Sequence, residues 1–237
     1  MAVVIIFIGS IVQGSFGLGG ALVAAPLLLL INPIFVPLPI LTSFIVLTAL
    51  VAIKDRQSIQ YQDLKFIMFG RVLGTIPAIM LMALTTGLLF EFVFAVIILM
   101  AVLISLIGAN ISINRTSLTS AGIISGFMGT ISSIGGPPIA LVYQSIDSSK
   151  FRATLSMQMM LGSMFSVVLI VIWGIDFGQD DLIATLILLP GGIFGFFASR
   201  LFVNSITRAK VRFAVLSLSG FASILVLTRA TLTWFAL

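Results

Sequence analysis

The first 53 residues contain no charged side chain, and apolar runs of span length recur at residues 72–90, 92–114, 153–175, 182–199 and 213–228. A helix that crosses the roughly 30 Å hydrocarbon layer needs about 20 such residues. Strands of a transmembrane barrel would instead alternate apolar and polar positions over about 10 residues. These runs are continuous, so the pattern predicts membrane-spanning helices.

Two windows break the pattern. Pro33, Pro37 and Pro39 end the first apolar unit at Asn32, and a second charge-free unit covers residues 116–146. A continuous helix of about 31 residues would reach about 46 Å, too long for one crossing and too short for two. Glycines interrupt both units: Gly14, Gly17, Gly19 and Gly20 in the first, then Gly129, Gly135 and Gly136 ahead of Pro137 and Pro138 in the second. The economical reading is two half-helices per unit, joined by a polar break near mid-membrane. Protein or a water-filled cavity must satisfy such a break.

The two halves of the chain also align. An offset of 116 puts Gly19 and Gly20 on Gly135 and Gly136, and Ala24 on Ala140. An offset of 121 puts Gly70 and Gly74 on Gly191 and Gly195, and Phe92 on Phe213. The difference fits a longer loop in the second half, around residues 174–181. The shared order predicts an internal duplication, residues 1–110 and 111–237, within one membrane domain.

Charge tests the topology. If both glycine units cross the bilayer, Lys54, Arg56, Lys65 and Arg115 lie opposite Lys150, Arg152, Arg200, Arg208, Lys210 and Arg212. If both are re-entrant, three spans per half remain, near 39–53, 64–84 and 91–109, then 153–174, 182–203 and 209–228. All the basic residues just named then share one face. Arg229 faces the other side with Glu91, Asp176, Asp180 and Asp181, while Arg71 lies inside a span near the basic face. Basic loops mark the cytoplasm, and an odd number of spans inverts the second copy. The expected fold is all-α, a polytopic inner-membrane protein with two inverted repeats. Each repeat is a glycine-broken re-entrant helical unit plus three transmembrane helices. Such architectures carry their substrate site where the interrupted helices meet.

Composition agrees and narrows the function. Sixty per cent of the residues are hydrophobic and 8% charged, against roughly 25% charged in soluble domains. With neither cysteine nor histidine, the chain offers no disulfide, thiol nucleophile, Cys/His metal site or Ser-His base. The GIISG run at residues 122–126 therefore reads as helix packing, and no nucleotide-binding G-x-x-x-x-G-K-[ST] loop is present. No enzyme, metal or cofactor is expected. The net charge of +5 reads as an orientation signal for insertion, not a nucleic-acid surface.

At the two glycine units the chain resembles the TauE/SafE sulfite exporter family, the TSUP permeases. The resemblance rests on Phe16-Gly17-Leu18-Gly19-Gly20 with Ala24-Ala25-Pro26-Leu27-Leu28, and on Ser133-Ile134-Gly135-Gly136-Pro137-Pro138 with Ala140-Leu141. It extends in order over nearly the whole chain, with Ala21 standing where many relatives have another glycine. It implies transport, commonly outward, of small sulfur-containing oxyanions such as sulfite or organosulfonates. Spacing alone carries no such substrate class. An anion channel on the same scaffold and a non-transporting membrane partner subunit remain the alternatives.

For a compact anion, half-helix N-termini near residues 18–21 and 135–139 offer N–H donors without a full charge. The candidate substrate-binding residues are Ser15, Gly17, Gly19, Gly20, Thr130, Ser132, Ser133, Gly135, Gly136 and Gln158, with Gln13 and Tyr143 behind them. The serines have a competing role in helix packing. Gly20→Val and Gly136→Val are expected to block transport while sparing insertion. Arg71 and Arg152 are candidates for gating or anion recruitment, although Arg71 could equally snorkel to the headgroups.

Overall fold

The computed structural model describes residues 1–107, 111–175, 178–202 and 208–235; Asp176 lies outside them. The described residues fold into ten α-helices: α1 (Ala2–Phe16), α2 (Gly20–Ile31), α3 (Leu38–Lys54), α4 (Tyr61–Leu84), α5 (Gly87–Leu106), α6 (Arg115–Ser132), α7 (Gly136–Val142), α8 (Ser148–Ile172), α9 (Gln179–Phe202) and α10 (Arg208–Phe235). Six segments are long and apolar enough to cross a membrane: Pro33–Lys54, which is α3 with its leading 3-10 turn, and α4, α5, α8, α9 and α10. The chain is a polytopic helical membrane protein.

Both glycine units are broken helices. α1 ends at Gly17 (φ 80), whose N–H reaches the Gln13 carbonyl at 2.7 Å, and Gly19 (φ 100) precedes α2. Both residues occupy the left-handed region that glycine enters without a Cβ clash. α6 opens on a capping box, in which Asn114 Oδ1 accepts from the Ser117 N–H and Ser117 Oγ accepts from the Asn114 N–H. It ends at Ser133, a left-handed residue that is not glycine (φ 63). α7 then starts with Pro137 and Pro138 in its first turn, where a missing N–H costs least.

Each unit turns back within the fold. α6 leaves beside the first turns of α4, with the Arg115 guanidinium 5.4 Å from the Phe66 ring centre. α7 finishes beside those same turns, where the Tyr143 hydroxyl donates to Asp63 Oδ2 at 2.7 Å. α1 follows α9 from Val3, against Gly191, to Ser15, whose Oγ donates to the Ser199 carbonyl at 3.3 Å. α2 runs to the opposite end, where Arg229 joins the Leu30 carbonyl to Glu91.

The broken units pack on long helices of the opposite half. A Cβ added at Gly70 would lie 2.1 Å from the Thr119 carbonyl oxygen, and one at Gly74 1.9 Å from that of Ile123. In the other half, the corresponding atoms at Gly191 and Gly195 would lie 2.6 Å from the Val3 oxygen and 2.4 Å from the Phe7 oxygen. Thr119 and Ile123 are Val3 and Phe7 shifted by 116, while the glycines are shifted by 121. The two offsets of the sequence therefore meet in one repeated contact between backbones. Gly122 and Gly126 complete it from the α6 side, against the carbonyls of Ile67 and Arg71, so the GIISG run is packing.

One expectation needs correction. The connections 55–60 and 173–178 are equally long, so the extra residues of the second half lengthen the helix ends around the turn rather than the turn itself. Helix ends can grow into the headgroup layer without disturbing the contacts between the spans.

Small residues drive helix association in lipid because they let backbones approach. Gly74→Leu is expected to lower the melting temperature of the purified protein by about 5 °C or more. Gly220→Ala, whose new atom meets nothing closer than Val102 Cγ1 at 4.0 Å, should leave it unchanged. Thermal unfolding in detergent measures both.

Candidate functional site

The first break is closed by one side chain. Gln13 Nε2 donates to the Gly17 carbonyl at 2.9 Å and Gln13 Oε1 accepts the Gly20 N–H at 3.1 Å. One amide thus satisfies the last turn of α1 and the first N–H of α2. Gly20 has no room for a ligand: a Cβ there would lie 2.5 Å from the Gly9 carbonyl oxygen and 2.9 Å from Phe44. Gly17 packs on Arg152, whose Nε donates to Asp55 Oδ2 at 2.7 Å. Ser15 spends its hydroxyl on α9. Of these candidates, Gly19 lines open space.

At the second break the hydroxyls serve the protein. Ser132 Oγ donates to the Met128 carbonyl at 2.8 Å, and Ser133 Oγ reaches the Pro37 carbonyl at 3.4 Å. Thr130 Oγ1 bonds the Gly126 carbonyl, Thr75 and Ser166. The break itself is held by Ser125 Oγ, which donates to the Gly135 carbonyl at 2.6 Å. Gly136 differs from Gly20, because a Cβ there would meet only Leu18 Cβ at 3.8 Å and Leu155 Cδ2 at 4.0 Å. Leu18 belongs to the first break, so the two breaks face each other across this gap.

Arg71 lies directly behind the second break. Its side chain is 1% exposed, so it does not snorkel. Nη1 donates to the Ser125 carbonyl at 3.2 Å and to Ser125 Oγ at 3.0 Å, while Nε has no partner. Glycines from three elements clear its space: added Cβ atoms would lie 2.9 Å from Nη1 at Gly129, 2.4 Å from Nη1 at Gly135 and 1.9 Å from Nε at Gly162. Among the described residues the ion pairs are Lys150–Asp147, Arg152–Asp55 and Arg229–Glu91, and no carboxylate joins Arg71. Gln158, fully buried on α8, donates from Nε2 to Ser125 Oγ at 3.1 Å and leaves Oε1 unpaired.

A cavity of about 470 Å³ lies beside the two breaks, with Arg71, Ser125 and Gln158 behind its walls and not among its linings. Leu18 and Gly19 line one wall, Pro137, Ala140 and Leu141 of α7 the facing wall, and Ser105, Ser148 and Arg212 the end rich in basic residues. Arg212 is the charged residue among its linings, and it donates to the Ser105 carbonyl. Further along α2, Ala24, Ala25 and Leu28 are fully buried and are not among the cavity's linings. Tyr143, outside the six long helices, also lines the cavity. Burial first, and the Asp63 carboxylate second, push its phenol pKa up, so it stays a protonated donor.

Of the expected residues, the structure gathers Arg71, Gly135 and Gln158 into one cluster, with Gly19 and Gly136 on the gap beside it. It commits Ser15, Thr130, Ser132 and Ser133 to internal bonds and Arg152 to Asp55. Ser125 and Arg212 join the site without any signal in the sequence. Ser125 sits inside the glycine run that reads as packing, and Arg212 looks like any loop cation.

The family model described as Sulfite exporter TauE/SafE matches residues 1–226. Neither the curated proteins nor the solved structures include a match. A match over nearly the whole chain, on a fold of six apolar spans and two broken helices, means that this protein belongs to the TauE/SafE sulfite exporter family.

Proposed function

We propose that the chain is a secondary transporter that carries small sulfur-containing oxyanions, sulfite or organosulfonates, out across the inner membrane by alternating access. The observation that carries this reading is the fully buried Arg71 with no carboxylate beside it, at the back of two facing helix breaks. A charged side chain inside a membrane domain is costly and marks function by default. Here the surrounding groups are neutral, so an anion is the natural complement of the guanidinium.

The half-helix ends contribute less than the sequence implies. The Gly20 N–H is taken by Gln13, and Pro137 and Pro138 have no N–H to give. On this reading the Arg71 side chain supplies the full positive charge, and the half-helix dipoles add to it. One arginine held to two neutral acceptors can bind an anion and still release it, whereas a cluster of cations would retain it.

On this reading the two halves are inverted repeats, residues 1–110 and 111–237, the broken units are re-entrant, and the basic ends lie in the cytoplasm. The cavity then opens inward, and the packed Ala24, Ala25 and Leu28 layer is the closed outer barrier. A sealed barrier favours a carrier over an open channel. An inside-negative potential adds about 2.3 kcal/mol per 100 mV for each negative charge moved outward. The partners are the anion and the lipid bilayer.

Efflux from proteoliposomes tests the reading. Arg71→Gln should lower sulfite flux about 100-fold or more, since it removes a charge-assisted contact in a dry site, while wild-type flux should saturate and rise with anion on the far side. Flux from Arg71→Gln equal to wild type would remove this residue from the path. The cysteine-free chain also permits single-cysteine labelling. Ala140→Cys should react with an impermeant maleimide from the cytoplasmic side, and reaction from the outer side alone would reverse the orientation.

A further inference from the structure

The hydrogen-bond network around Arg71 fixes what kind of anion suits it. Ser125 Oγ has one proton, and its 2.6 Å bond to the Gly135 carbonyl uses it, because a carbonyl can only accept. Toward Arg71 Nη1 and Gln158 the same oxygen must accept. The Gln158 amide is thereby oriented: its nitrogen faces Ser125 and its oxygen faces away. Two buried polar atoms are left over, one of each kind. Arg71 Nε is a charged donor with nothing to donate to, and Gln158 Oε1 is a neutral acceptor with nothing to accept.

Both atoms border α8, Gln158 Oε1 as part of it and Arg71 Nε from α4. Gly162, against which Arg71 Nε packs, follows Gln158 by four residues on α8, and residues so spaced stack along a helix. Arg71 is 1% exposed and Gln158 0%, so a ligand reaching both must be compact and must shed its water. A buried acceptor left unpaired penalises any ligand that brings no donor.

Resting on the anion-transport reading above, we infer that the site selects a monovalent oxyanion that itself carries a proton. Its oxygens accept from the Arg71 guanidinium while its O–H donates to Gln158 Oε1. Among sulfur oxyanions this describes hydrogensulfite, not the divalent sulfite ion and not a sulfonate, which has acceptors only. One guanidinium also balances one negative charge, leaving a second charge unpaired in the dry site.

The pH dependence that follows belongs to the ligand. On the elements around Arg71 the charged groups sit at the basic end: Lys54 at the end of α3 with Asp55 after it, Asp63 and Lys65 on α4, Arg115 on α6, and Asp147, Lys150 and Arg152 at the start of α8. α7 carries none. Asp55 is paired with Arg152 and Asp63 with Tyr143.

Calorimetry on the purified full chain, with sodium sulfite and sodium methanesulfonate at about pH 6 and about pH 8.5, tests the inference. Apparent sulfite affinity should fall roughly tenfold per pH unit once hydrogensulfite loses its proton, with methanesulfonate almost unchanged. Gln158→Leu should weaken sulfite at the lower pH by roughly tenfold, leave methanesulfonate bound, and flatten the pH response; Gln158→Met provides a second variant of similar length. Sulfite affinity that is level across this range in the wild-type protein overturns the inference without needing any variant. So does an unchanged sulfite-to-methanesulfonate ratio in the folded Gln158 variants. Either result leaves the anion reading standing. If neither anion binds the wild-type protein, or if Arg71→Gln binds both as before, the anion reading falls too.

Discussion

A backbone interrupted inside a lipid environment must find partners for the groups that the helix no longer pairs, and both breaks of this protein are organised around that demand. In hydrocarbon each unpaired N–H or carbonyl costs several kcal/mol. At the first break the debt is met by the Gln13 amide, which bonds Gly17 and Gly20 together. At the second it is met by Ser125, which holds the Gly135 carbonyl. The first solution is self-contained. The second recruits Arg71 and Gln158 into the same network and leaves polar capacity unspent.

That difference makes the site asymmetric although the scaffold around it repeats. Gly70 and Gly74 meet α6 as Gly191 and Gly195 meet α1, yet Arg71 corresponds at the same offset to Gly192. The guanidinium thus has no counterpart at that aligned position. Gly129, Gly135 and Gly162 are shaped to it, since a side chain on any of them would occupy the space of its nitrogens. Glycine near this break provides volume for a buried charge as much as backbone freedom.

Connections at the basic end link the two breaks. Asp55 holds Arg152, which packs on Gly17 of the first break, and Asp63 holds Tyr143 at the end of α7. Both carboxylates flank the same short connection between α3 and α4. Displacement of that connection would therefore reach both breaks together, through contacts that are polar and partly solvated and so exchange more readily than the packed interior.

Much of the architecture was legible in the sequence because lipid imposes a simple rule: spans must be apolar and helical, and breaks must be marked by glycine, proline and polar residues. The six spans, the interruptions near Gly17–Gly20 and Ser133–Gly136, and the glycine packing at residues 70, 74, 191 and 195 followed from that rule. The roles of individual polar residues did not. Serine and threonine in an apolar stretch can bond a ligand or the carbonyl one turn back, and Thr130 and Ser132 take the second course. Gln13 and Gln158 look alike in the chain, yet one closes a break and the other keeps an acceptor free. Arg71 was equally ambiguous, since a flexible cation near a span end can turn outward. Only tertiary structure decided that it turns inward, because the space that accepts it is made by three glycines brought together from α6, the second break and α8.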